Sequence, residues 1–408
     1  MVLYEEADVS GSAVNGAFNR RLAGELAEMQ AQGVYKTLLH IMGMQGAVVE
    51  LEEFGETVNL CSNNYVGLCD VPEVVAAVRD GATRYGAGTA SVRFICGTWD
   101  IHRELEDRIA DFLETEASIT YTSCWNANGG LFAPLLTDED ALISDELNHA
   151  SIIDGIRLCK AERHVYKHMD MDALEDALKK TVDKRHRMVM TDGVFSMEGE
   201  IAPLPVIREL CDRYDAVLTV DDSHATGVLG DTGRGTPEHF GMHGEIDIIT
   251  STLGKALGGM AGGFTASSRP VVDTLVQRSR TQLFTNAIPP HSACGALAAI
   301  DYLEAHPERV QKLRDNTDYF RRNLVGLGFN PIEGDTPIVP VVIGETAAAM
   351  RMSRELLDEG VFVIGFGFPV VPKGEARIRC QVSAAHEPEH LDRALAALDK
   401  VGKRLGVI

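Results

Sequence analysis

IDIITSTLGKALGG, residues 246–259, joins an apolar run to a glycine-rich turn with Lys255 in its middle. Ile246 to Thr250 reads as a strand. A lysine placed at the end of such a strand, among small residues, is poorly suited to be a solvated surface charge. Partial burial lowers an amine's pKa and makes it nucleophilic, and the small neighbours leave room for a flat aromatic aldehyde held as an imine. Glycine-rich turns with a lysine are common, so this string does not decide the chemistry alone.

The deciding partner lies upstream. Ala216 to Val220 is a second short apolar run, carrying Val217, Thr219 and Val220, and it ends in Asp221-Asp222-Ser223-His224. Carboxylates at the C-terminal end of a buried strand line the ligand crevice of an open α/β sheet. Pyridoxal 5'-phosphate requires such an acid, because its ring nitrogen must stay protonated to act as an electron sink. His224, three residues on, is placed to hydrogen-bond the ring's phenolic oxygen. Two plainer readings compete: Asp221 and Asp222 cap the next element beside an ordinary loop histidine, or Asp and His ligate a metal. No HExxH or paired CxxC accompanies them, so no metal is expected.

Composition narrows the classes. The chain has 408 residues, 45% hydrophobic and 24% charged, which is ordinary for a globular protein of more than one domain. A net charge of −22 argues against a nucleic-acid surface, which needs a basic footprint. Eight cysteines, at 61, 69, 96, 124, 159, 211, 294 and 380, form no cluster, and no disulfide framework is expected. The opening MVLYEEADVS lacks a basic stretch followed by an apolar one, so a cytoplasmic protein is expected. Ile246–Phe264 is apolar, but Lys255 and its glycines make it strand plus loop rather than a membrane span.

Strands alternate with helices along the chain. A helical arm is expected over 14–40, with Phe18, Leu22, Leu26 and Met29 at helical spacing. Strand runs follow at Ala117–Thr122, Ala141–Ser144, Met188–Thr191, Ala216–Val220, Ile246–Thr250 and Gly262–Ala266. This pattern predicts a mainly parallel sheet with helices on both faces. After residue 300 a helix over 298–327, strands at 338–343, 361–364 and 376–383, a helix at 346–358 and a closing helix from Pro388 predict a smaller α+β domain. The divisions are 1–57, an N-terminal arm; 58–297, a large cofactor-binding domain; and 298–408, a small domain.

With both halves of the cofactor site in view, the chain resembles the α-oxoamine synthase family of fold-type I pyridoxal phosphate enzymes along nearly its whole length. The strings that carry the resemblance include CSNNYVGL (61–68), ASVRFICGT (90–98), SCWNANGGLF (123–132), SDELNHASIIDGIRLCKA (144–161), TDGVFSMEG (191–199), VDDSHATG (220–227), TLGKALGG (252–259) and PVVPKGEARIRCQVSAAH (369–386). VRFICGT and LNHASIIDG favour the acetyltransferase branch, which joins glycine to acetyl-CoA.

The resemblance implies roles residue by residue. Lys255 would hold the cofactor and serve as the base at the glycine Cα. Asp221 would pair with the ring nitrogen and His224 with the ring hydroxyl. His149 would stack on the cofactor face; read without the family, it is an N-cap or core histidine beside Asn148 and Ser151. Ser123-Cys124-Trp125-Asn126 leads into Asn128-Gly129-Gly130, a turn whose amides are expected to open a helix and cradle the phosphate. Cys124 and Trp125 border that site, and Trp125 stands where relatives commonly carry phenylalanine. Thr252 matches the family's phosphate-binding hydroxyl. Arg379 is the expected clamp for the substrate carboxylate, assisted by Asn63 and Ser196, because a guanidinium pairs bidentately where a lysine does not. Arg377 shares its strand face, with a solvated strand-edge charge as the rival account. Thr285-Asn286 would reach the partner's phosphate in a homodimer with shared sites, threonine replacing the more usual serine; the plain alternative is a helix cap near Pro289.

The activity these expectations describe is condensation of glycine with acetyl-CoA to 2-amino-3-oxobutyrate and CoA, or the reverse cleavage in threonine catabolism. The alternatives are a related synthase taking another acyl-CoA or amino acid, as in 8-amino-7-oxononanoate or 5-aminolevulinate synthesis, an aminotransferase, or a catalytically silent scaffold. Gly86-Ala87-Gly88-Thr89-Ala90-Ser91 is an incomplete dinucleotide fingerprint after no convincing strand.

Overall fold

The computed structural model describes residues 16–368 and 370–408. Its thirteen strands fall into three sheets. β1 (Val48–Leu51) and β2 (Gly55–Asn59) form an antiparallel hairpin. The large sheet comprises β3 (Ala117–Tyr121), β4 (Ala141–Asp145), β5 (Glu162–Tyr166), β6 (Arg187–Asp192), β7 (Ala216–Asp221), β8 (Ile248–Thr252) and β9 (Gly263–Ser267), in the order β3-β9-β8-β7-β6-β4-β5. β3, β4 and β6 are buried at every position, as strands covered by helices on both faces must be. Within this sheet β9 alone runs opposite to the other six strands.

The C-terminal portion contributes β10 (Ile338–Gly344), β11 (Val361–Phe362), β12 (Ile364–Phe366) and β13 (Ala376–Gln381). Antiparallel β10-β13-β12 form one sheet, while β11 pairs in parallel with β2. Val58 and Leu60 therefore share a core with Ile378, Val382, Leu391 and Leu398 of the C-terminal portion. Early and late parts of the chain fold as one layer.

Three local departures from the sequence reading have physical causes. The helix expected over 298–327 is two helices, Pro290–Ala305 and Glu308–Gly326. Pro307 has no amide hydrogen and forces the residue before it out of helical geometry. The strand expected over 361–364 is split between two sheets on either side of Val363. β5 is an added edge strand, whose ERHVY sequence carries the charges that discourage edge-to-edge pairing.

The helix Gly16–Ala31 buries none of its residues, and Phe18, Leu22, Leu26 and Met29 are all exposed; residues 14 and 15 of the expected arm lie outside the described residues. Among the described residues no helix is long and apolar enough to cross a membrane.

The early and late segments are locked by His386, which is fully buried. Its Nδ1 accepts from the Ser383 amide at 2.9 Å, so its Nε2–H donates to the Asn59 carbonyl at 3.0 Å. Burial lowers its pKa to about 4, whereas an unfolded histidine titrates near 6.5. The folded state thus binds fewer protons across this window. The stabilisation is complete above pH 6.5 and is lost as pH falls toward 4, by about 1.4 kcal/mol per unit. Denaturant titrations of His386→Asn should show lower stability at pH 7, and a drop between pH 7 and 5 about 2 kcal/mol smaller than in the parent. Equal drops in both proteins would contradict the neutral assignment.

Candidate active site

The parallel strands deliver their carboxyl ends to one edge of the sheet, the edge where open α/β sheets bind ligands. There a cavity of about 200 Å³ is walled by Ser123 after β3, His149 after β4, Asp192 at the end of β6, Asp221 at the end of β7, and Thr252 and Lys255 at and beyond the end of β8. A larger groove of about 530 Å³ lies at the opposite edge, among Glu116, His186, Val217 and Asp247. It contains no lysine and sits at the amino ends of the strands, so volume does not locate the chemistry.

Lys255 projects from the turn after β8, its carbonyl accepting from the Gly259 amide, and its amine makes no hydrogen bond or ion pair with the described residues. Burial lowers its pKa; Asp221, Cys124 and Asp192 pull it back up. Such an amine is more nucleophilic than a surface lysine.

Asp221 is held from both sides. Its Oδ1 accepts from the Ser223 amide at 3.0 Å and its Oδ2 from Asn128 Nδ2 at 2.6 Å. The Asn128 amide is oriented in turn by Thr250, whose hydroxyl donates to Asn128 Oδ1 at 2.8 Å. The same Nδ2 reaches Ser151 Oγ at 2.9 Å, and Ser151 Oγ lies 2.7 Å from His149 Nδ1. Neighbouring Asp222 does the capping considered above: it accepts from Thr226 and Thr236 and ties down the loop after β7.

His149 fulfils the cap reading and lines the cavity as well. It is the N-cap of helix Ala150–Arg157, accepting from the Ser151 amide, while its own amide donates to Asp192 Oδ2 at 3.1 Å. Trp125 meets its ring edge-on at 5.9 Å. His224 is bonded at Nδ1 to the Tyr65 hydroxyl at 2.9 Å. Burial, reinforced by Lys255 and Arg379, pushes its pKa well below the usual histidine range. Cys124 is buried with its thiol pKa pushed well up by burial, which makes it an inert wall of the cavity.

The helix expected to open at Asn128-Gly129-Gly130 starts elsewhere. Helix Cys124–Gly129 opens at Ser123, whose Oγ accepts from the Asn126 amide at 3.1 Å, and it closes at Gly130. Asn128-Gly129-Gly130 is therefore the helix end remote from the cavity opening, and the residues lining the cavity are Ser123, Cys124 and Trp125. The serine was the stronger local start signal, since its oxygen can satisfy a free first-turn amide. Thr252 lines the same end, its hydroxyl donating to the Gly262 carbonyl. Gly263 of β9 passes beneath: a Cβ there would stand 2.2 Å from the Cys124 nitrogen.

Arg379 borders the cavity through Ser196, whose carbonyl accepts from its Nη1 at 2.9 Å. Its Nη2 donates to Gln381 Oε1 at 3.1 Å, and its Nε is buried without a partner. No carboxylate among the described residues forms an ion pair with it. Arg377, by contrast, is 2% exposed and spoken for: Glu198, Glu375 and the Met197 carbonyl hold it on the central strand of its sheet. The solvated strand-edge account of Arg377 is thereby corrected. Asn63 lies outside the cavity wall and accepts from Gln381 at 2.6 Å.

Thr285 and Asn286 are also outside the cavity. Asn286 forms an isolated bridge with Val92, and helix Pro290–Ala305 begins after Pro289 without a side-chain cap, so Thr285 caps nothing. Four contributors were not singled out from sequence: Asn128 as a side chain, Asp192, Tyr65 and Gln381. Asp192 and Tyr65 stand inside the quoted TDGVFSMEG and CSNNYVGL strings, and Gln381 shares a strand face with Arg379 at a spacing of two.

The donor set fits pyridoxal 5'-phosphate. A buried carboxylate, a neutral imidazole, a lysine amine unpaired among the described residues and hydroxyls at the far end surround one small cavity, and beside it stands a partly buried guanidinium whose Nε is buried without a partner.

Comparison with known proteins bears on this fit. Residues 55–398 match the family model described as aminotransferase class I and II. The 2-amino-3-ketobutyrate coenzyme A ligase of Escherichia coli (strain K12) is 47% identical over 397 residues, covering 97% of this chain and 100% of that protein. The 8-amino-7-oxononanoate synthase of Thermosipho melanesiensis is 44% identical over 386 residues, 95% of this chain and 98% of that protein. A serine palmitoyltransferase from S. paucimobilis, solved with bound PLP–myriocin, superposes with a TM-score of 0.91 at 28% identity, covering 97% of this chain and 100% of that one. The chain belongs to the aminotransferase class I and II family, as an α-oxoamine synthase of the fold-type I, pyridoxal phosphate-dependent enzymes.

Proposed function

We propose that this enzyme condenses glycine with acetyl-CoA to give 2-amino-3-oxobutyrate and CoA, or cleaves that ketoacid with CoA in the reverse direction. The observation that carries the reading is the pairing of a Lys255 whose amine has no partner among the described residues, beside Asp221, with a partly buried Arg379 that forms no ion pair with a carboxylate among the described residues. An amine to hold the cofactor and a guanidinium to hold an amino-acid carboxylate are the two demands of the chemistry. The 47% identity to a 2-amino-3-ketobutyrate coenzyme A ligase supports glycine and acetyl-CoA as the pair. The 44% identity to an 8-amino-7-oxononanoate synthase supports one rival, condensation with a longer acyl thioester.

Bound pyridoxal phosphate supplies an electron sink for the carbanion at the amino-acid Cα. The protein's part follows from its own geometry. Asp221, fixed by Ser223 and Asn128, would keep a proton on the ring nitrogen. His224, His149, Ser123 and Thr252 line the cavity that would hold the cofactor: His224 would donate to its phenolic oxygen, His149 would pack on its ring, and Ser123 and Thr252 would offer hydroxyls to its phosphate. Arg379 orients the glycine carboxylate, with Ser196 and Asn63 fixing its surroundings. Lys255, its pKa lowered by burial, takes the Cα proton. A homodimer in which Thr285 and Asn286 complete the partner's phosphate site, in the cytoplasm, belongs to the same proposal. It is supported by the position of both residues outside their own chain's cavity.

Borohydride reduction of the loaded protein should fix the cofactor on Lys255, and Lys255→Ala should abolish condensation; a labelled peptide from another lysine would defeat the assignment. Arg379→Ala should raise the glycine KM about 100-fold through loss of a charge-assisted pair. Arg377→Ala should lower stability with little effect on that KM, and the reverse pattern would exchange their roles. Rates with acetyl-, succinyl- and long-chain acyl-CoA would settle the acyl group, a clear preference for a longer chain favouring the rival. Mixing Lys255→Ala subunits with subunits altered at both Thr285 and Asn286 should restore activity above either parent after exchange, since one site in each heterodimer regains all its parts. No rescue despite proven exchange would exclude shared sites.

A further inference from the structure

Tyr65 and Gln381 do not line the cavity, but each bonds a residue with a proposed role there, Tyr65 to His224 and Gln381 to Arg379. Gln381 Oε1 accepts from Arg379 Nη2 at 3.1 Å, while its Nε2 lies 2.7 Å from the Tyr65 hydroxyl and 2.6 Å from Asn63 Oδ1. Tyr65 OH is 2.9 Å from His224 Nδ1. The directions in this chain are determined by its first member. A guanidinium can only donate, so the Gln381 oxygen faces Arg379 and its amino group faces Tyr65. The hydroxyl oxygen of Tyr65 therefore accepts from Gln381, and its one hydrogen goes to His224 Nδ1. An imidazole that accepts at Nδ1 and is neutral carries its proton on Nε2. Tyr65 is fully buried and Gln381 is 1% exposed, so water does not compete for these bonds.

We propose that Gln381 and Tyr65 are positioning residues that impose the Nε2–H tautomer on His224, making the carboxylate clamp at Arg379 and the donor to the cofactor's phenolic oxygen two ends of one directional hydrogen-bond relay. This deepens the proposed function and rests on its placement of the cofactor. The groups that face His224 are Lys255, Arg379 and His149 besides Tyr65, and those that face Lys255 are Asp221, Cys124, Asp192 and Arg379. All of them are unchanged in Tyr65→Phe, which removes only the hydroxyl.

The readout is the pH midpoint of the visible absorption band of the protein loaded with pyridoxal phosphate. A donor at the phenolic oxygen stabilises its negative charge and so favours the deprotonated chromophore; losing the donor raises the midpoint. Tyr65→Phe should raise it by about one pH unit, the equivalent of one charge-assisted hydrogen bond. His224→Ala should move it the same way. The double variant should sit no higher than the larger single shift, because residues in series are not additive. A wild-type midpoint in Tyr65→Phe, or an additive double variant, would overturn the relay. Gln381→Met provides a second cycle should Tyr65→Phe not fold: it should raise the midpoint by less and be silent in the His224→Ala background, and additivity there would equally overturn the proposal. The titration uses neither glycine nor acyl-CoA. A protein that forms the band but fails to condense them would refute the proposed substrates while the cycle still judged the relay.

Discussion

The 2.6 Å bond from Asn128 to Asp221 is the constraint on which the site depends. A carboxylate buried at the end of a central strand is costly unless its oxygens are satisfied. Asn128 satisfies one of them with a side chain whose own orientation is dictated by Thr250 on the next strand. Through Ser151 the same amide also sets the ring of His149, so the Asp221 carboxylate and the His149 imidazole share a single reference point. The helix bearing Asn128 packs tightly on the helix after His149, where a Cβ at Gly155 would stand 2.6 Å from the Asn128 carbonyl. That close approach brings Ser151 within reach.

The second half of the site comes from another layer. Arg379 and Gln381 stand on β13, in the C-terminal sheet, and bond across to Ser196 in the loop after β6 and to Asn63 and Tyr65 in the segment after β2. The loop after β6 is steadied from its far side as well. His168 bridges Asp145 and Glu200 at 3.0 Å each, and these two carboxylates raise its pKa to about 9. It remains an imidazolium in neutral solution and pins the segment that presents Ser196.

Much of this was legible in the sequence because the chemistry sits at strand ends. The apolar runs before Asp221 and Lys255 read directly as strands, and the residues that follow them are placed by the fold rather than by local preference. The glycines of the Cys124–Gly129 helix lie at its C-terminal end, and its start is marked by Ser123, the capping residue. The break at Pro307 was overlooked inside a long amphipathic pattern. Asn128, Tyr65 and Gln381 were opaque for a different reason: each acts through a partner more than 90 residues away, or across two layers, and no local spacing encodes such a contact. Arg377 and Arg379 share one strand face, yet only the packing of Glu198 and Glu375 reveals which one is already neutralised.

Gly263 has a consequence for how this pocket can change. It is paired with Tyr121 on one side and Thr252 on the other, directly beneath the backbone of Ser123 and Cys124. Any side chain at this position would lift the helix start off the sheet and carry the Ser123 hydroxyl with it. The floor beneath Ser123 and Cys124 is thus made of bare backbone, and variation that retunes the pocket is channelled to side chains that can be exchanged without moving that scaffold, such as the exposed Trp125.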